Sequence, residues 1–124
     1  MTEHSYSAVP EPKFVVINLG RNIGDHGPMH ANRWELFQHR AAQDVRGSGG
    51  NIVGHGSGCS VWDHEPEEFV TLHALVPEHE LQTLRRALAR TAAQFQQAAI
   101  ACMVSDDSSL VYAYGARNSE ERAA

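Results

Sequence analysis

The order in which strand-like and helix-like stretches succeed one another constrains this chain more than any single residue. Residues 13–20, KFVVINLG, are β-branched and apolar up to a closing glycine, the pattern of a buried central strand. Residues 21–30, RNIGDHGPMH, have loop chemistry through Gly24, Gly27 and Pro28, and His30 or Asn32 is placed to cap a helix. Over 31–46, Trp34, Phe37, Ala41 and Val45 recur at helical spacing and define one apolar stripe. The glycine-rich RGSGGN ends that helix, and 51–62, NIVGHGSGCSVW, reads as a strand interrupted by Gly54, Gly56 and Gly58. Glycines inside a strand mark a bulge, or a place where another chain or a ligand approaches the backbone. Residues 67–76 alternate as a third strand, which Pro77 stops. A second helix is expected over 78–97, with acidic residues in its first turn and a stripe of Leu81, Leu84, Leu88, Ala92 and Phe95. Residues 98–104 are a fourth strand, 106–109 a tight turn, and 110–115, LVYAYG, a short fifth strand.

That succession specifies an α+β fold. It is a ferredoxin-like βαββαβ sandwich with an antiparallel sheet, two helices on one face and an extra C-terminal strand. The expected organisation is one domain over 13–115, a flexible arm over 1–12 and a solvated, disordered tail over 116–124. With 124 residues, 42% of them hydrophobic, the chain can bury a modest core. The sheet face without helices must be covered, and another subunit is the usual cover.

Charge and cysteine usage narrow the partners. The net charge is −5, and the nine arginines and single lysine form no run longer than Arg85-Arg86, so the footprint of a nucleic-acid binder is missing and a cationic partner is expected. No apolar run reaches the length of a membrane span, and the first residues do not resemble a signal peptide. Cys59 and Cys102 lie far apart in apolar strand-like runs, which indicates neither a disulfide framework nor a thiolate metal site. A reducing, cytoplasmic setting is expected.

Eight histidines raise the question of a metal, but Gly27 and Pro28 between His26 and His30 deny that pair a helical face, and nothing completes a ligand set. No metal and no cofactor are expected. There is no nucleophile elbow, and GSGC is not succeeded by the helix that a phosphate-binding loop needs. The neighbouring carboxylates Glu67 and Glu68 remain. Adjacent strand residues point to opposite faces, so one of the two looks toward whatever covers the sheet and needs a cationic partner there.

Several pieces in a common order carry a resemblance: Arg21-Asn22 after the first strand, Gly58-Cys59 in the second, Glu67-Glu68 opening the third, Gln96 closing the second helix, and Leu110-Val111-Tyr112-Ala113 with Gly115 beyond them. In these the chain resembles the bacteriophage S-adenosylmethionine lyases, long called S-adenosylmethionine hydrolases, over about 14–115. The resemblance implies a small trimer of ferredoxin-like subunits with substrate held between neighbours. It also implies a glutamate at the 67–68 position that activity requires, and a role in removing S-adenosylmethionine to defeat host restriction. Two positions depart from the family pattern: Ser60 stands where an aromatic tyrosine is usual, with Trp62 two residues on and facing the same side, and Gln97 stands where an acidic residue is common.

On that resemblance, Glu68 is expected to point into the subunit interface and hold the substrate's ammonium, with Glu67 facing away or supporting it. Gly20, Arg21, Asn22, Gly58, Ser60, Trp62, Gln97 and Tyr112 are the expected substrate-binding set. The reaction is an intramolecular cyclisation giving homoserine lactone and 5′-methylthioadenosine. A hydrolase, with water as nucleophile, would give homoserine first. Ser60 and Gln97 also fit a different class of protein, a non-enzymatic oligomeric module that binds a host protein or a nucleotide without turnover.

Overall fold

The structure is a computed structural model and describes residues 11–62, 64–106 and 113–115. Strand β1 (Lys13–Gly20) leads through a loop into helix α1 (Ala31–Gly47), then strands β2 (Asn51–Trp62) and β3 (Glu65–Val76), helix α2 (Leu81–Gln94) and strand β4 (Ala101–Ser105). The sheet order is β2-β3-β1-β4, and every neighbouring pair is antiparallel. Each helix therefore links two strands that flank a third, and the fold is the expected α+β, ferredoxin-like sandwich.

The stripes explain the layering. Trp34, Phe37, Ala41 and Val45 of α1 and Leu84, Leu88 and Ala92 of α2 are buried, against Val15, Ile17 and Leu19 of β1 and Leu72, Ala74 and Val76 of β3. These strand residues share one parity, so both helices lie on one sheet face. Phe95, just past α2, stacks 5.0 Å from Phe37, and the Arg33 guanidinium lies 4.7 Å from the Phe95 ring centre.

Three expected boundaries move. The third strand starts at Glu65, because the β2–β3 pairing runs out to Trp62 and Glu65. The second helix opens with a 3-10 turn, Glu78–Glu80, and its α-helical part stops at Gln94, because Gln96 adopts a left-handed φ of 58° that no helix continues through. The fourth strand consequently begins at Ala101. Of the expected fifth strand, 110–112 lie outside the described residues, and Tyr114 and Gly115 form a turn. The arm over 1–10 and the tail over 116–124 also lie outside them.

The glycines of β2 acquire a reason. A bulge at Val53, between Ile52 paired with Ala74 and Gly54 paired with His73, shifts the register so that Gly54, Gly56 and Gly58 all fall on the face without helices. The β3 side chains on that face lie down over them. A Cβ at Gly58 would stand 2.8 Å from the Phe69 ring, one at Gly56 3.1 Å from the Thr71 hydroxyl, and one at Gly54 3.5 Å from His73. Phe14 and Met103, 37% and 54% exposed, complete this uncovered face on β1 and β4.

A polar clasp joins the helices where the apolar stripes end. Thr91, itself buried, donates its hydroxyl to the Asp44 carboxylate, and Arg40 donates to the side-chain oxygen of Gln94. Burial pushes the Asp44 carboxyl above its ordinary range, although the Thr91 hydrogen bond and the charges of Arg40 and Arg90 pull the other way. A group whose folded pKa is raised stabilises the fold below its unfolded pKa, and that contribution is lost as pH rises through the folded value. Asp44→Asn keeps an acceptor for Thr91 and removes the desolvated charge. Its melting temperature should match or exceed that of the unsubstituted protein at pH 7, with the advantage shrinking toward about pH 4. Thermal melts at the two pH values measure this, and a variant several degrees less stable at pH 7 would contradict it.

Candidate functional site

Beyond Gly20 the chain stays against β3 instead of leaving the sheet. The Arg21 N–H donates to the Glu68 carbonyl at 3.0 Å, the Met29 N–H to the Arg21 carbonyl at 2.9 Å, and Asn22 pairs with Pro28 as an isolated bridge. The loop is thus folded back on itself beside the β2–β3 hairpin. Its backbone N–H at Asn22 donates to Glu67 Oε2 at 2.9 Å, and the Asn22 side chain donates to the Pro66 carbonyl at 3.1 Å.

Gly20 is what lets Glu67 lie there. A Cβ on residue 20 would sit 2.7 Å from Glu67 Oε2, closer than such atoms approach, so any larger residue would displace the carboxylate. Glu67 is half-buried; its other oxygen accepts no hydrogen bond from the described residues.

The register reverses the expected orientations of the two glutamates. Gly20 pairs with Phe69, so Glu67 shares the uncovered face with Phe69 and Thr71, whereas Glu68 has the parity of Val70 and Leu72 on the helix side. Glu68 does not point toward the face a second subunit would cover. It lies past the end of the helical layer with a 54% exposed side chain, and Arg21 Nη1 holds it at 3.2 Å. The same guanidinium donates from Nε to the Met29 carbonyl at 2.9 Å, so Arg21 ties the loop to the strand while neutralising Glu68.

Gln97 arrives at this cluster through the end of α2. The Gln96 N–H bonds to the Ala93 carbonyl and the Gln97 N–H to the Ala92 carbonyl at 2.8 Å, a Schellman-type closure with glutamine at the left-handed position. The turn aims the Gln97 amide at the loop, where Nε2 donates to the Asn22 carbonyl at 2.9 Å. Asn22 thus receives α2 at its carbonyl and grips Glu67 at its N–H.

Of the expected residues, the fold brings together Gly20, Arg21, Asn22, Glu67, Glu68 and Gln97. Ser60 pairs with Glu67 and Gly58 with Phe69 on the neighbouring strand. Trp62 takes a register position opposite Glu65, farther along the hairpin, and Tyr112 lies outside the described residues. Phe69 was not anticipated. Its signal was the alternation that puts it two residues after Glu67, opposite a glycine. Among the described residues no three His, Cys, Asp or Glu side chains gather as metal ligands, and Cys59 and Cys102, on opposite edge strands, are both free.

The comparisons with known proteins bear on the fold. No protein-family model matches the chain, and no curated protein matches it in sequence. The solution structure of the C-terminal domain of the MgtC protein from Mycobacterium tuberculosis is similar, with a TM-score of 0.56 at 14% identity over 77% of this chain and 89% of that domain. A crystal structure of an unknown protein from Galdieria sulphuraria aligns at a TM-score of 0.47 and 11% identity, over 76% of this chain and 48% of that protein. No helix among the described residues is long and apolar enough to cross a membrane.

A left-handed glutamine carries steric strain of about 1 kcal/mol that glycine avoids. Gln96→Gly should therefore raise stability to chemical denaturation by up to about 1 kcal/mol, with the Gln97–Asn22 contact retained. Unfolding midpoints in urea measure this, and a destabilised Gln96→Gly protein would show that the Gln96 side chain has a role beyond ending the helix.

Proposed function

We propose that this protein is an S-adenosylmethionine lyase whose site lies on the uncovered sheet face around Glu67, closed by another copy of the chain in a homo-oligomer, a trimer on the family resemblance. One observation supports this reading above the others. Three stretches that the resemblance picks out, at 21–22, 58–59 and 67–68, converge on one end of the sheet, and Gln97, one of the two departures from the family pattern, joins them at Asn22.

The chemistry suits those residues. S-adenosylmethionine carries a sulfonium, an ammonium and a carboxylate, and its net positive charge is drawn to a protein of net charge −5. In the lyase reaction a carboxylate oxygen of the substrate attacks the side-chain carbon bonded to sulfur. The carbon–sulfur bond breaks with its electron pair going to sulfur, giving neutral 5′-methylthioadenosine and homoserine lactone. No proton moves, so no general base is needed. Attacking anion and sulfonium cancel as the new bond forms, so a water-excluded pocket favours the transition state over the charge-separated ground state. Holding the methionine arm in its cyclising conformer contributes up to roughly 7–11 kcal/mol in the best intramolecular cases.

Glu67 is assigned the grip on the ammonium. It is half-buried on the face that a neighbour would cover, and the Asn22 N–H fixes one oxygen while leaving the other for the ligand. Glu68, already paired with Arg21, braces the loop. Such an enzyme would act in the host cytoplasm, depleting the methyl donor that restriction-modification systems consume. Among the described residues, the neutral amide at Gln97 and the pairing of Glu68 leave Glu67 as the one carboxylate there not paired with a cation. This favours, as the second reading, a module that binds a cationic ligand without cleaving it.

The test sets two substitutions side by side. Glu67→Gln should lower 5′-methylthioadenosine formation by roughly 10²-fold or more, the scale of losing one directed electrostatic contact, while the protein stays folded and oligomeric. Glu68→Gln should cost less than about tenfold, since its effect is transmitted through the loop. Full activity in Glu67→Gln would overturn the assignment. Intact substrate after incubation with unsubstituted protein would leave the binding module.

A further inference from the structure

Helix α2 is charged in one sense only. Its sequence, LQTLRRALARTAAQ, carries Arg85, Arg86 and Arg90 and no carboxylate, on a chain whose net charge is −5. The charge of Arg90 reaches Asp44 on the side of the helix pair. Arg85 forms no ion pair among the described residues, and an exposed arginine without a partner is ordinary by itself. Its position is what matters.

Arg85 stands at one end of a cavity of about 470 Å³ between α2 and strand β4, a volume in the range of small-molecule pockets. The α2 residues that line it, Arg85, Leu88, Ala89, Ala92 and Ala93, recur at helical spacing, so they form one row about 12 Å long at the helical rise of 1.5 Å per residue. Ile100 and Cys102 stand opposite that row. Cys102 pairs with Ile17, whose parity places it on the helix side of the sheet. Burial pushes the Cys102 thiol above its ordinary pKa and the charge of Arg85 pulls against it, so the guanidinium is within electrostatic reach of the strand wall as well as its own helix. No other lining residue carries a charge. The space is therefore long, apolar over most of its length and cationic at one end.

We infer that this cavity is a binding site for a medium-chain aliphatic carboxylate, with the carboxylate on the Arg85 guanidinium and the chain laid along Leu88, Ala92 and Ile100. The guanidinium fork matches a carboxylate with two parallel hydrogen bonds. Each methylene taken out of water along the row raises affinity by roughly two- to fourfold. An α2 without carboxylates has nothing to repel the anion, and Arg86 beside Arg85 adds to the attraction. This site stands apart from the one around Glu67: it lies on the other face of the sheet, and its lone cation disfavours S-adenosylmethionine, whose net charge is positive.

Calorimetric titration of the full chain with decanoate, decanol and decyltrimethylammonium tests the chemistry. Alkylation of Cys102 tests the place, in Cys59→Ser protein so that the other free thiol, which is exposed, does not react. Decanoate should bind about tenfold or more tighter than decanol, the scale of hydrogen bonds to a charged group. The trimethylammonium compound should not bind, and saturating decanoate should slow Cys102 alkylation several-fold. Arg85→Gln, at an exposed position, should bring decanoate down to the level of decanol while the melting temperature stays within a few degrees. Ala89→Trp, also at an exposed position in the row, should weaken decanoate and decanol alike. Equal affinities of decanoate and decanol for the unsubstituted protein would overturn the inference. So would undiminished decanoate binding by folded Arg85→Gln or folded Ala89→Trp, or a rate of Cys102 alkylation that decanoate leaves unchanged.

Discussion

The carboxylate of Glu67, lying flat over Gly20 and accepting the Asn22 N–H, is the contact around which the residues at this end of the sheet are assembled. It ties the exit of β1 to the entry of β3. Because Asn22 also accepts from Gln97, it brings in the end of α2 as well. A half-buried carboxylate with one oxygen fixed by a backbone N–H has its other oxygen left to receive a cationic group. The uncovered face is where that cation can arrive. Arg21, the nearest cationic side chain in the chain's own loop, is turned the other way, onto Glu68.

The same face shows how strand alternation prepares a flat surface. One bulge at Val53 brings three glycines onto it, and Phe69, Thr71 and His73 settle into the space they leave. His73 in turn meets Thr71 at 3.1 Å and the edge of Phe14 at 6.1 Å. A sheet whose side chains lie down presents backbone and ring faces rather than projecting side chains. Close approach of another chain or a planar ligand is easier there than over a sheet studded with long residues.

The fold was legible because its determinants are periodic. Trp34, Phe37, Ala41 and Val45, and Leu84, Leu88 and Ala92, are buried as their spacing requires, while a β-branched apolar run marked β1 and alternation marked β3. What periodicity does not carry is absolute register. Reading Glu67 and Glu68 as pointing to opposite faces needed only alternation, but deciding which faced the open side needed the pairing of Gly20 with Phe69, a contact across 49 residues. The glycines of β2 had the same limit: their spacing of two was visible, and the bulge that chooses their face was not. The early end of α2 turned on one backbone angle at Gln96, where no glycine or proline announced it. The MgtC-domain likeness at 14% identity speaks to this shared architecture alone.

Incubating the protein with S-adenosylmethionine in water enriched in oxygen-18, and locating the label in the products by mass spectrometry, tests the chemistry most directly. If the substrate's own carboxylate closes onto the carbon bearing sulfur, lactone forms first. Homoserine from its later ring opening then has an unlabelled hydroxyl, with the label confined to the carboxylate. Label in the homoserine hydroxyl would mean that water attacked that carbon, and unconsumed S-adenosylmethionine would mean that the site around Glu67 does not cleave it.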